Sequence, residues 1–182
     1  IQYKSCDVGV SFSYPINYAI NVTGIFDFRN SQIDLRIENE DAFIRIELYS
    51  KINYKSISEV DESQLLKDHS SLRRYSYVDT DSKMHMLSDV SIKNNKIHGK
   101  ELFEVLKVID VMDKEYGLII DAKYQKVYIY PNEMKSFEIR VYASSMEEIQ
   151  IKEKDVREIF KNLNIGKQDG SYKSYFDNVT LR

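Results

Sequence analysis

The chain is poor in the residues that punctuate or staple a fold. It has one cysteine, two prolines, six glycines and no tryptophan among 182 residues. A single thiol, Cys6, cannot close an internal disulfide, so a core must hold the fold together. Gln2-Tyr3-Lys4-Ser5 lacks the small and aliphatic residues of a lipid-anchor site, and no local histidine would make Cys6 a nucleophile. It reads as an incidental free thiol. Two prolines and scattered glycines leave no flexible linker and no glycine-rich phosphate loop. No apolar run approaches the ~20 residues of a membrane-spanning helix. An excess of one charge is missing too: 26 basic and 29 acidic residues give a net charge of −3. The charges are interspersed, and the tight basic pair is Arg73–Arg74. Nucleic-acid binding calls for a clustered basic surface, so it is not expected.

What is present suits one globular domain. A chain of this length buries roughly 70% of its unfolded surface and needs no staple. Fourteen tyrosines suit strands more than they mark a recognition surface. The first residue is Ile1, which sets the expectation of a removed upstream signal peptide or membrane anchor. Sequons at Asn21-Val22-Thr23 and Asn178-Val179-Thr180 agree with an extracytoplasmic location.

The hydrophobic rhythm alternates between period two and a helical period. Val10–Tyr14 alternates as a strand, Pro15-Ile16-Asn17 turns, and Tyr18–Thr23 is expected to return as its hairpin partner. Gln32–Ile37 and Ala42–Tyr49 are further strands around the polar turn Glu38–Asp41. Ile57–Tyr75 shifts to a loose helical spacing, with Ser56, Ser58 or Asp61 as N-cap. Met84–Lys93 is a strand, and Asn94-Asn95 reads as a tight turn because Asn tolerates positive φ. Ile97 starts a strand broken at Gly99. Leu102–Met112 is apolar on both faces, as in a central strand covered on both sides. Asp113-Lys114-Glu115 turns the chain into Tyr116–Tyr130, where the apolar phase changes between Ala122 and Lys126, the mark of a bulge or hairpin. Pro131-Asn132-Glu133 turns again, and Phe137–Ala143 alternates cleanly. Lys152–Asn164 is the best helix, with Val156, Ile159, Phe160 and Leu163 on one face and Gly166 placed as C-terminal cap.

Strands joined by short turns pair antiparallel, and the helical stretches must cover their faces. The expected fold is α+β: an antiparallel β-sheet with helices packed on its faces. Residues 1–165 form the single domain, and residues 166–182 form a tail that either docks as an extra strand or stays mobile.

Gly9-Val10-Ser11-Phe12-Ser13-Tyr14-Pro15, followed by Tyr18 and Ile20, resembles the opening of PsbP-like domains, relatives of the extrinsic photosystem II protein PsbP. That family ends a strand in Tyr-Pro and follows it with an aromatic residue, usually Trp, whose place Tyr18 holds. Ile97-His98-Gly99 leading into Phe103-Glu104-Val105 is similar as well, although Lys100-Glu101 departs from the usual small or apolar pair. Phe137–Ala143, with a helix ending near Phe160 and Leu163, completes the resemblance over Gly9–Ile165. It implies an αβα sandwich, a fold shared with a Ran-binding family. It also implies a non-enzymatic, exported or membrane-attached protein that docks on a larger assembly.

No catalytic, cofactor-binding or metal residue is assigned. His69, His85 and His98 lack zinc-ligand spacing, and only an assembly in space of His85 and His98 with a carboxylate would make a metal site. Asp79-Thr80-Asp81 begins like a calcium loop but lacks the central glycine and the glutamate at position twelve, where Val90 stands. Asp110, Asp113 and Glu115 cluster at a turn, as acids commonly do. No Gly-x-Ser-x-Gly elbow exists. The expected function is a binding or assembly module that partners a protein or membrane-associated assembly, with no cofactor. The alternatives are a hydrolase-like enzyme with a site assembled in space, and a small-ligand carrier in a cavity between sheet and helix.

Overall fold

Alternation along the chain becomes two-sidedness in the sheet. Ile44, Ile46 and Leu48 point to one face of their strand, and Ile139 and Val141 do the same on the neighbour. The computed structural model describes residues 1–5, 9–23, 30–49, 55–70, 77–78, 83–133 and 136–166. Its strands are β1 (Gln2–Ser5), β2 (Val10–Ser13), β3 (Ala19–Thr23), β4 (Asn30–Arg36), β5 (Phe43–Tyr49), β6 (Tyr77–Val78), β7 (Lys83–Ile97), β8 (Lys100–Asp113), β9 (Ile119–Tyr130), β10 (Ser136–Ala143) and β11 (Asn164–Ile165). A 3-10 turn (Ile57–Glu59) precedes α1 (Glu62–Ser70), and α2 (Met146–Asn162) follows β10. Eight strands form the main sheet in the order β3-β4-β5-β10-β9-β8-β7-β6, and β1-β2-β11 form a small second sheet. Every pairing among the described strands is antiparallel.

The main sheet is covered on both faces. One face carries α2 and the small sheet, burying Phe12, Ile33, Leu35, Ile44, Ile46, Tyr128, Phe137, Ile139, Val156, Ile159 and Phe160 in one cluster. The other face carries the 3-10 turn and α1, with Leu65 over Phe103, Val105, Val127 and Ile129. The expected α+β layering is therefore present, and β8 is the doubly covered strand its apolar run predicts. Each of these large side chains contributes about 1.5–3 kcal/mol by leaving water.

Local chemistry sets the helix starts. Asp61 Oδ1 accepts from the Ser63 and Gln64 amides at 2.9 and 3.3 Å, so Asp61 caps α1. The Ser63 hydroxyl, donating to the same oxygen at 2.7 Å, and then these amides hold its carboxyl below the usual value. Ser145 Oγ accepts from the Glu148 amide at 3.2 Å, and the Glu148 carboxylate accepts from the Ser144 amide at 2.7 Å. This reciprocal cap starts α2 at Met146, six residues before the expected start at Lys152.

Several expectations are corrected. Tyr18–Thr23 does not pair back onto Val10–Tyr14. The Pro15 turn closes, with Tyr18 N–H donating to Pro15 O at 3.3 Å, but it carries the chain from one sheet to the other. There β3 pairs with β4, while β2 pairs with β1 and β11. Asn94-Asn95 is not a turn. β7 runs through it, because Asn94 Nδ2 donates to Glu62 and Asn95 Nδ2 to Glu104. The turn is His98-Gly99, both at positive φ (46° and 81°), which fits a tight hairpin. The bulge in β9 falls at Ile120, because Val111 opposes Asp121 while Met112 opposes Ile119. The phase change lies nearby for another reason: residues 125–129 are buried from both faces at once. Gly166 does not cap α2, which ends at Asn162 with Leu163 as its cap. The Gly166 N–H donates to Gly9 O at 2.8 Å, extending the β11–β2 pairing. The tail beyond residue 166 lies outside the described residues.

Candidate functional site

Three regions carry chemistry. The first is the polar side of β4, β5 and β10, on the α1 face of the sheet. Alternation that sends Ile44, Ile46, Ile139 and Val141 into the core sends Arg45, Glu47, Glu138 and Arg140 the other way. Arg45 forks onto Asp34, with Nε 2.8 Å from Oδ1 and Nη2 3.1 Å from Oδ2. Arg140 bridges Glu47 at 2.8 Å and Glu138 at 2.7 Å. Burial pulls the Arg140 guanidinium pKa down, but Glu138 and Glu47 outweigh it and raise the pKa. Tyr49 donates to Glu47, and burial followed by this bond pushes its hydroxyl well above the usual value. Phe43 stacks on Tyr142 at 4.6 Å, with the Arg36 guanidinium 3.7 Å over its ring. Cations and carboxylates here satisfy one another, so the lattice is a neutral scaffold.

The second region ties sheet to helix. Glu104 faces α2 with its side chain 1% exposed, 3.0 Å from Lys126 Nζ and 3.1 Å from Lys93 Nζ. Burial would raise its carboxyl pKa, but Asn95, Lys126 and Lys93 together hold it below the usual value. Lys126 also pairs with Glu153 of α2 and lies 5.2 Å from the Tyr128 ring. Burial, then the negative charges of Glu153 and Glu104, push the Tyr128 hydroxyl far up. A second tie joins α2 to two turns: Tyr18 Oη, at the β2–β3 corner, donates to Asp155 at 2.6 Å, and Lys152 Nζ donates to Glu40, in the β4–β5 turn, at 2.6 Å. Both ties hold elements together. The visible signal for the first was a lone glutamate in the doubly apolar run Leu102–Met112.

The third region is the far end of the β8–β9 hairpin. The last rung between β9 and β10 is Tyr124↔Ala143, yet β9 starts at Ile119 and β8 continues to Asp113. The two strands therefore overhang the sheet. Asp113 Oδ1 accepts from the Glu115 and Tyr116 amides, each at 2.9 Å, and Gly117 N–H donates to Asp113 O at 2.8 Å. Gly117 has φ 67°, a conformation a side chain would strain. This rigid turn presents Tyr116, Leu118, Ile119 and Ile120 at 70%, 64%, 62% and 52% exposure. These are four of the eight exposed large apolar side chains among the described residues.

The residues singled out in the sequence separate in space. His85 and His98 lie at opposite ends of β7, 13 residues or roughly 40 Å apart, so they do not share a metal. His69 and His85 are buried, and His98 forms a turn. Asp110 accepts from Ser88 Oγ at 3.0 Å, and Asp113 caps its turn, so each acid serves a local bond. Among the described residues no cluster of three metal-ligating side chains occurs, and no helix is long and apolar enough to cross a membrane. Asn21 and Thr23 of the first sequon are exposed on β3. Cys6, Arg73–Arg74, Asp79–Asp81 and the second sequon lie outside the described residues.

No family model matches the chain, and no curated protein matches its sequence. Among solved structures, the solution structure of cyanobacterial PsbP (CyanoP) from Synechocystis sp. PCC 6803 matches with a TM-score of 0.53. The match covers 91% of this chain and 92% of that one at 10% identity. The fold is PsbP-like. At that identity the PsbP-like architecture is what the two chains share, and the side chains on its surface are this chain's own. The resemblance read from Gly9–Pro15, Ile97–Val105 and Phe137–Ala143 thus holds at the level of the fold.

Proposed function

We propose that this chain is a non-enzymatic binding or assembly module, exported or tethered at a membrane, and that it docks through the overhanging end of the β8–β9 hairpin. The observation that carries the reading is the exposure of Tyr116, Leu118, Ile119 and Ile120 on a turn braced by Asp113. A core sequence would have buried these residues; here they stand beyond the last rung of β10. The PsbP-like architecture supports a docking module, since the matching solved protein carries the name of an extrinsic photosystem II protein's cyanobacterial relative. The ion pairs elsewhere are internally satisfied and serve as scaffold.

The test is fractionation of the full chain from its own cells. Wild-type protein should co-migrate with a larger assembly. Leu118→Ser with Ile119→Ser should release it to the size of the free chain with an unchanged melting temperature. Co-migration that survives this double substitution would reject the hairpin end as the docking surface.

A further inference from the structure

The overhang is a free strand edge as well as an apolar tip. Ile119 and residues 121–123 of β9 pair with β8 on one side, with Ile120 bulged between them, and among the described residues nothing pairs with their other side. The Ala122 N–H donates to Asp121 Oδ1 at 2.8 Å, so a side chain occupies this amide where a neighbouring strand would. Asp121 and Lys123 are both exposed and, two residues apart, lie on one face of the strand.

We infer that this edge accepts an extended segment of a partner protein by antiparallel strand addition, and that Asp121 and Lys123 choose the segment by charge. The inference rests on the hairpin end being the docking surface. A second copy of this chain is a poor occupant of the full five-residue edge. Matching the five-residue overhang antiparallel to itself sets Asp121 opposite Asp121, a like-charge rung. Centring on Ala122 instead drives Ile119 and Ile120 into the stretch of β9 already paired with β10. A foreign strand meets neither obstacle. Because it runs antiparallel, the residue facing Lys123 precedes the one facing Asp121 by two positions. The fitting segment therefore reads acidic-x-basic from its N-terminus, with apolar neighbours to cover Ile119 and Ile120.

The test uses two synthetic peptides, Thr-Val-Glu-Val-Lys-Val-Thr and Thr-Val-Lys-Val-Glu-Val-Thr, titrated into the full chain by NMR. The acidic-x-basic peptide should bind about tenfold more tightly, from two matched rather than two mismatched cross-strand pairs. Its shifts should centre on residues 119–123. Asp121→Lys with Lys123→Glu should reverse the preference, and Lys123→Glu alone, which keeps the Asp121 cap, should shrink it. Equal binding of both peptides, a preference that survives the reversal, or no binding of either at millimolar concentration would overturn the inference. The docking surface itself stands or falls separately, on whether Leu118→Ser with Ile119→Ser releases the native assembly.

Discussion

The near and far halves of one hairpin are built from similar sequence and do opposite things. Phe103, Val105, Val127 and Ile129, nearer the His98-Gly99 turn, are at most 5% exposed under α1, and Tyr128 is sealed beneath α2. Leu118, Ile119 and Ile120, at the other end of the same ladder, are more than half exposed. Apolar character is shared; what differs is coverage. β10 stops at Ala143 and α2 turns back from Met146 along the sheet, so the layers end before β8 and β9 do. The near half is buried and the far half is exposed.

The largest expected effect lies in the near half. Phe103→Ala should cost about 4 kcal/mol in urea unfolding, since the covering helix cannot collapse into the space. Glu104→Gln should cost about 3 kcal/mol at neutral pH, because Lys126 and Lys93 lose a buried partner. Its pH dependence follows from the depressed pKa. The wild-type contribution is complete above the ordinary value near 4.5 and disappears as the pH falls through the lower folded value. Unfolding curves of wild type and variant should therefore converge on acidification below about pH 4.5. Asp61→Ala, which uncaps α1 above the near half, should lower the urea midpoint by less than either of these. At the small end, Leu118→Ser and Ile119→Ser should each stay within about 0.5 kcal/mol of wild type. A loss of several kcal/mol at Leu118 would show that the far half is core after all.

Much of the scaffold was legible because a two-sided sheet writes its period into the chain. Ile44-Ile46-Leu48 and Phe137-Ile139-Val141 alternate in the sequence as they do in the strands. The start of α2 was less legible, because its first turn is fixed by Ser145 and Glu148 rather than by apolar spacing. Asn94-Asn95 misled because asparagine's tolerance of turns is a local property. Its bonds to Glu62 and Glu104 depend on cross-strand register and helix placement. The Glu104–Lys126–Glu153 network joins residues 22 and 27 positions apart, so no short-range pattern announces it. The exposed end was hidden for the same reason: Leu118-Ile119-Ile120 reads like any buried strand until the lengths of β9 and β10 are compared.

Hydrogen–deuterium exchange along β9 tests the division most directly. Residues 125–129, flanked by β8 and β10 and covered on both faces, should exchange only with global unfolding. Within residues 119–123, the amides that face away from β8 should exchange orders of magnitude faster. Uniform protection from Ile119 to Tyr130 would mean that something already covers the edge, and it would contradict a free docking end.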